Sequence, residues 1–308
     1  MEHSYRLACH FCKTRKVVVI CKNHKGVDEE KFEIHQFNNG RQALKLLNQY
    51  ANHESIIYND DHLAYLLWLS RRKYIITYHG NWPDLLFASA SYFFKGLYFI
   101  PMYMAGLLGA KEVIHVSRYM LTKWRFLNHK SKLIYNATFK DSPEVESVTL
   151  PRETSMLCLG NVITRKYANL LEMLNRGNTD LLKIHIYGTI VDQALADKLK
   201  RFPNVQLHGY SNSIPWHEHD VLGCFSKSEN LPLSIVEALH HNLPVITTDV
   251  GGIKEVINET NGLIFQSDVD LQQVATAISE KVFSFTDTEI LAKFHQTYAF
   301  SKYDELFR

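Results

Sequence analysis

Short apolar, β-branched runs alternate with amphipathic stretches along this 308-residue chain, and that alternation limits its fold more than any other feature. Such strand-helix units build parallel sheets covered by helices. In the first half, strands are expected at residues 16–21, 32–37, 55–59, 74–78, 112–116 and 132–135. Helices fit at 42–50, 62–69 and 118–127, where apolar residues recur three or four apart and Ser117 suits an N-cap. Residues 138–153 lack a strong period, carry Pro143 and Pro151 with several charges, and read as a linker. The alternation then restarts, with strands at 156–159, 183–187, 205–207, 221–225, 244–248 and 263–265. Helices are expected at 168–175, 193–202, 232–241, 271–283 and 289–299.

Each half therefore reads as a doubly wound α/β unit, whose ligands bind outside the carboxyl ends of the strands, and a central cleft between the two is expected. The expected division is an N-terminal Rossmann-like domain over residues 1–140, a linker over 141–153 and a C-terminal Rossmann-like domain over 154–290. Residues 291–308 read as a last helix.

The net charge of +2 conceals an asymmetry. Residues 1–140 hold 20 Lys and Arg against 10 Asp and Glu, and the remainder holds 14 against 22. A basic half suggests an anionic surface or acceptor as partner, although an even spread over solvated helix faces gives the same count. No nucleic-acid-binding motif accompanies the charge. With no signal segment and no run of 18 apolar residues, a cytoplasmic protein without a membrane span is expected. The nearest approach to a span, residues 93–110, is interrupted by Lys95, Gly96, Pro101, Gly106 and Gly109. It suits either a membrane interface or a protein core. Five cysteines, an odd number, argue against a disulfide framework. Cys9, Cys12, Cys21 and His24 have a spacing that zinc could use, but the strand entering Cys21 would aim side chains apart, and buried thiols are the simpler reading.

The stretch richest in chemistry runs from Phe225 through Ser226, Glu229, Asn230, Leu231, Pro232 and Glu237 to Ala238, followed by Pro244–Thr248, then Gly251, Gly252 and Glu255. A strand ends at Phe225, and Pro232 stands where a helix would begin. The free N–H groups of that first turn offer a diphosphate a resting place without a metal. Glu229 lies before the helix and Glu237 within it, so the two carboxylates would bracket a nucleotide sugar, one at the transferred group and one at the ribose.

This run resembles the donor-binding E-x7-E signature of the large retaining glycosyltransferase family called family 4, which has the GT-B fold. Pro-Val-Ile-x-Thr, Gly-Gly-x-x-Glu and Asn261-Gly262-Leu263-Ile264-Phe265 follow in that family's order. The resemblance implies that Glu229 contacts the transferred sugar and Glu237 the ribose, and that the helix over 291–308 returns to the first domain, as in GT-B proteins generally. It extends to Gly160-Asn161-Val162-Ile163-Thr164-Arg165-Lys166, where Lys166 matches a diphosphate-binding lysine. The family's arginine is replaced by Asn161, and the glycine that often follows the lysine is Tyr167. Arg165 would have to substitute from a neighbouring position. Gly188 and Gly209 match strand ends that shape the base pocket. In the first half, Thr77-Tyr78-His79-Gly80 resembles the strand whose histidine projects toward donor sugar and acceptor, so His79 is implied as a catalytic residue with Gly80 beside it. The glycine-rich acceptor loop usual after the first strand has no counterpart near Cys21–Lys25.

Asp268-Val269-Asp270 supplies the D-x-D string of metal-dependent transferases, but it directly precedes an amphipathic helix and reads as an N-cap. No metal or other cofactor is expected. Asp60-Asp61-His62 ends a strand, with His62 kept as an acceptor-side candidate. The implied activity is transfer of a sugar from a nucleotide diphosphate donor to a glycan or lipid-linked glycan. A non-catalytic nucleotide-sugar-binding scaffold, or a nucleotide-sugar epimerase, is the rival.

Overall fold

A computed structural model describes residues 2–22, 31–60, 63–80, 82–87, 90–126, 129–138, 147–285 and 288–307. The chain divides into two compact units. Residues 1–83, 94–137 and 296–308 make the first, and residues 84–93 and 138–295 make the second.

In chain order the first unit contains α1 (Glu2–Phe11), β1 (Val18–Cys21), β2 (Glu33–Gln36), α2 (Gly40–Tyr50), β3 (Tyr58–Asp60), α3 (Ala64–Leu69) and β4 (Ile75–Tyr78). There follow α4 (Ala90–Gly109, in this unit from Phe94 onward), β5 (Glu112–His115), α5 (Arg118–Trp124) and β6 (Ser131–Leu133). Strands β3-β4-β5-β6 form one parallel sheet, and β1 pairs with β2 in a second, also parallel. Central strand β4 is fully buried, as expected of an apolar run flanked by strands on both sides. Ser117 caps α5 by accepting from the Met120 amide.

Two readings change in this unit. Helix α1 was not expected, because residues 2–11 are polar enough to hide their apolar face. That face buries Leu7 and Phe11. Residues 93–110 lie within or beside one continuous α4, despite their glycines and proline. Gly106 permits close packing on α3, since a Cβ there would stand 2.6 Å from that of Ala64. Pro101, which has no amide to donate to the helix, is exposed.

The second unit holds β7 (Ser147–Thr149), β8 (Thr154–Leu159), α6 (Thr164–Arg176), β9 (Leu182–Tyr187), α7 (Gln193–Leu199), β10 (Val205–Gly209), β11 (Val221–Cys224) and α8 (Leu233–His240). It continues with β12 (Val245–Thr248), β13 (Gly262–Phe265), α9 (Leu271–Ser279), β14 (Val282–Ser284) and α10 (Thr288–Ala292). Its six-stranded parallel sheet has the order β10-β9-β8-β11-β12-β13. Met156, Leu170, Ile184, Val221, Ile246 and Val274 are among the side chains of its core.

Here too some boundaries move. The helix expected to reach residue 283 stops at Ser279, and Phe283 is instead buried in β14, which pairs antiparallel with β7. Part of the expected linker is thus a strand, while residues 139–146 lie outside the described residues. The helix expected over 289–299 is two, α10 and α11 (Gln296–Leu306), and α11 belongs to the first unit. There Tyr303 and Thr77 share a hydrogen bond of 3.0 Å, His10 meets Asp304 at 3.0 Å, and Arg15 donates to the Phe307 carbonyl at 2.9 Å.

Candidate active site

Numbered within this six-stranded sheet, the strand order is 3-2-1-4-5-6, so the chain reverses direction of travel between β8 and β11. In such sheets, ligands bind at the carboxyl ends of the strands flanking that switch point. The two loops that leave these strands are Gly160–Ile163, leading into α6, and Phe225–Pro232, leading into α8. They carry most of the residues singled out in the sequence.

Glu229 is the centre of this arrangement. Its Oε1 accepts from Ser226 Oγ at 2.9 Å and lies 3.1 Å from Arg165 Nη1 and 3.6 Å from Lys166 Nζ. Arg165 and Lys166 occupy the first turn of α6, about 100° apart around the helix, yet both long side chains reach the same carboxylate. Arg165 does so although Asn161, the position aligned with the family's arginine, is exposed on the loop. Arg165 also donates to the Ser228 carbonyl, and its own carbonyl accepts from the Lys227 amide at 2.8 Å. Two cations against one carboxylate leave a local excess of positive charge, which favours an incoming diphosphate. Burial raises the Cys224 thiol and the Tyr167 phenol, so both remain neutral beside this cluster. Tyr167 occupies the position where the family often has glycine, and it donates to the Gly160 carbonyl at 3.1 Å.

The loop that presents Glu229 is held from several sides. Ser226, Asn230 and Leu231 are buried, as is Pro232. The Ser226 carbonyl accepts from Thr248 Oγ1 at 3.1 Å, and the Asn230 carbonyl accepts from the Gly252 amide at 2.7 Å. Gly251 has φ +62, and a Cβ there would stand 2.0 Å from the Glu229 carbonyl oxygen. Only glycine allows both that conformation and that approach. Pro232 is the N-cap of α8 rather than its first residue, and no side chain caps this end. Glu237 lies on an exposed face of α8. Gly188, at the end of β9, donates its amide to the Gly209 carbonyl at 2.7 Å, so the three glycines Gly160, Gly188 and Gly209 mark the carboxyl ends of neighbouring strands.

In the first unit, His79 and Gly80 follow the carboxyl end of β4. His79 Nε2 lies 2.6 Å from Asp60 Oδ1 at the end of the adjacent β3, and its Nδ1 lies 3.3 Å from Asn136 Nδ2. Asn136 Oδ1 is buried with no hydrogen-bond partner among the described residues. Asp60 escaped the sequence reading, which took His62 from the same string. The signal available was that a carboxylate ended the strand neighbouring His79. His62 and His24 lie outside the described residues. Cys9, Cys12 and Cys21 form no disulfide, and no group of three or more metal-binding side chains converges among the described residues. Asp270 is the N-cap of α9, in a reciprocal capping box with Gln273.

Comparison with known proteins bears on the unit that holds Glu229. Residues 153–282 match the family model described as Glycosyl transferases group 1. Over 127 residues, 41% of its length, the chain is 29% identical to the Escherichia coli O-antigen biosynthesis glycosyltransferase WbnH, and it matches the E. coli probable O-antigen biosynthesis glycosyltransferase WbiN equally. The match spans about a third of the length of these relatives, 33%. Among solved structures, Anabaena HepE in complex with UDP and glucose superposes with a TM-score of 0.72 at 15% identity, covering 99% of this chain and 95% of that one. The lipopolysaccharide outer core galactosyltransferase WaaB gives 0.68 at 16% identity, covering 99% and 94%. Sucrose-phosphate synthase from Thermosynechococcus elongatus gives 0.77 at 15%, covering 99% and 91%. At such identities the likeness establishes the architecture, two Rossmann-like units of the GT-B fold, which agrees with the fold class expected from the sequence.

Proposed function

We propose that this protein transfers a sugar from a nucleotide diphosphate donor to a glycan or lipid-linked glycan in the assembly of a bacterial surface polysaccharide. The observation that carries the reading is the meeting of Glu229, Arg165 and Lys166 at the switch point of the unit that matches the glycosyl transferases group 1 model. The O-antigen relatives and the UDP complex of HepE support its two halves, polysaccharide assembly and a nucleotide donor.

On this reading Arg165, Lys166 and the free amides at the start of α8 stabilise the departing diphosphate, a task for which preorganised donors suffice without a metal. Glu229 contacts the transferred sugar, Glu237 binds the ribose, and His79, steadied by Asp60, serves the acceptor side. Transfer proceeds with retention of anomeric configuration. The protein works at the cytoplasmic face of a membrane, drawn there by its basic first half.

The test is incubation with labelled UDP-, GDP- and ADP-sugars and extracted lipid-linked glycan, followed by product separation. Labelled glycan is the expected product. Tight binding of a donor with no transfer to any glycan would instead identify a nucleotide-sugar-binding scaffold.

A further inference from the structure

We propose that the outer face of α4 is a docking surface for an anionic lipid bilayer. At 100° per residue, Phe94, Leu97, Tyr98, Pro101, Ala105 and Leu108 fall on one stripe about 100° wide, and it runs along about 21 Å of helix. Gly96, Gly106 and Leu107 on the other side are buried. The stripe is not: Phe94 is 70% exposed, Leu97 and Tyr98 64% each, and Leu108 57%. Between residues 94 and 109 the single charged side chain is Lys95, itself exposed. Large apolar side chains in so continuous a row mark an interaction surface, not scattered surface residues.

Charge selects the occupant. At the carboxyl end of α4, Gly109 packs on Trp68, a Cβ there standing 2.4 Å from Trp68 Cδ1, so the exposed Trp68 and Leu69 extend the row. Arg71, whose amide donates to the Trp68 carbonyl at 3.0 Å, and Lys111, whose amide donates to the Tyr74 carbonyl at 2.8 Å, bring exposed cations to that corner together with Lys73. A second copy of the same face would set these cations against one another. An anionic headgroup layer would pair with them while the aromatic and aliphatic side chains enter the acyl boundary. No helix among the described residues is long and apolar enough to cross a membrane, so attachment by this route is peripheral.

The proposal rests on the lipid-linked acceptor reading for its biological sense, but its test needs no donor or acceptor. The full chain is floated with phosphatidylcholine vesicles with and without phosphatidylglycerol, at low and high salt. Binding to the anionic vesicles alone, weakened by salt, is expected. The double variant Leu97→Ser/Leu108→Ser should lose about tenfold or more in vesicle affinity while keeping its melting temperature. Arg71→Glu/Lys111→Glu should lose binding to the anionic vesicles. Three results would each overturn the proposal: no flotation of the wild type, unchanged flotation of both variants, or a wild-type dimer that the Leu97/Leu108 variant converts to monomer. Failure of transfer assays with intact vesicle binding would count against the proposed function alone.

Discussion

Replacing Glu229 with Gln tests the central cluster most directly, since the amide keeps the shape and an acceptor oxygen while removing the charge. In the native protein this carboxylate is largely buried and lies 3.1 Å from Arg165 and 3.6 Å from Lys166. At an effective dielectric near 20 each pair is worth roughly 5 kcal/mol in gross Coulomb energy, most of which is offset by desolvation and side-chain ordering. Allowing for the solvent that reaches both cations, the net loss on neutralising Glu229 is about 2 kcal/mol, a typical value for charge-assisted hydrogen bonds. In a domain of this size that lowers the melting temperature by about 4–8 °C. The two cations left behind remain available to phosphate, so affinity for the nucleoside diphosphate should hold or rise. On the proposed role of Glu229 at the transferred sugar, transfer should fall about 100-fold. Differential scanning fluorimetry with and without nucleoside diphosphate, together with labelled-donor turnover, measures all three quantities. A variant that melts within a degree of wild type and transfers sugar at the wild-type rate would refute the reasoning.

Other perturbations separate the remaining parts. Gly251→Ala should cost roughly 1–3 kcal/mol in stability and weaken donor binding, because its Cβ cannot share space with the Glu229 carbonyl; unfolding and nucleotide titration report both. Glu237→Ala, at an exposed position, should raise the donor Kd about tenfold with the apo melting temperature unchanged, as read by calorimetric titration. Asp60→Asn should slow transfer with donor affinity intact, since it releases His79 in the other unit; a matching loss in donor binding would contradict that role. Burial lowers His115 from 6.5 to about 4, so the unfolded chain takes up the proton first as pH falls. Its contribution to stability is therefore complete above pH 6.5 and is lost between there and about pH 4. The melting temperature should fall across that window, and less steeply in His115→Phe.

The sequence was most informative where a single strand end carries its own neighbours. Ser226, Glu229, Pro232 and Gly251 all belong to loops next to β11 and β12, and their spacing alone placed them at one strand edge. The capping role of Asp270 was likewise legible, because a cap is decided within one helical turn. Helix α4 was less legible. Its glycines and proline look like breaks when judged by intrinsic propensity, and only the closeness of α3 makes a glycine the residue that fits there.

Periodicity and local motifs, then, determined by themselves the class of fold, most of its elements and the position of the Ser226–Pro232 loop, since each depends on interactions only a few residues apart. Tertiary structure alone decided the pairings across long separations. It brought Arg165 onto Glu229 although Asn161 stands at the position expected of the cation. It also set Asp60 against His79. The reason is geometric: the strand order that places β8 beside β11, and β3 beside β4, is fixed by packing of the whole sheet, and no stretch of sequence short enough to show a pattern contains it.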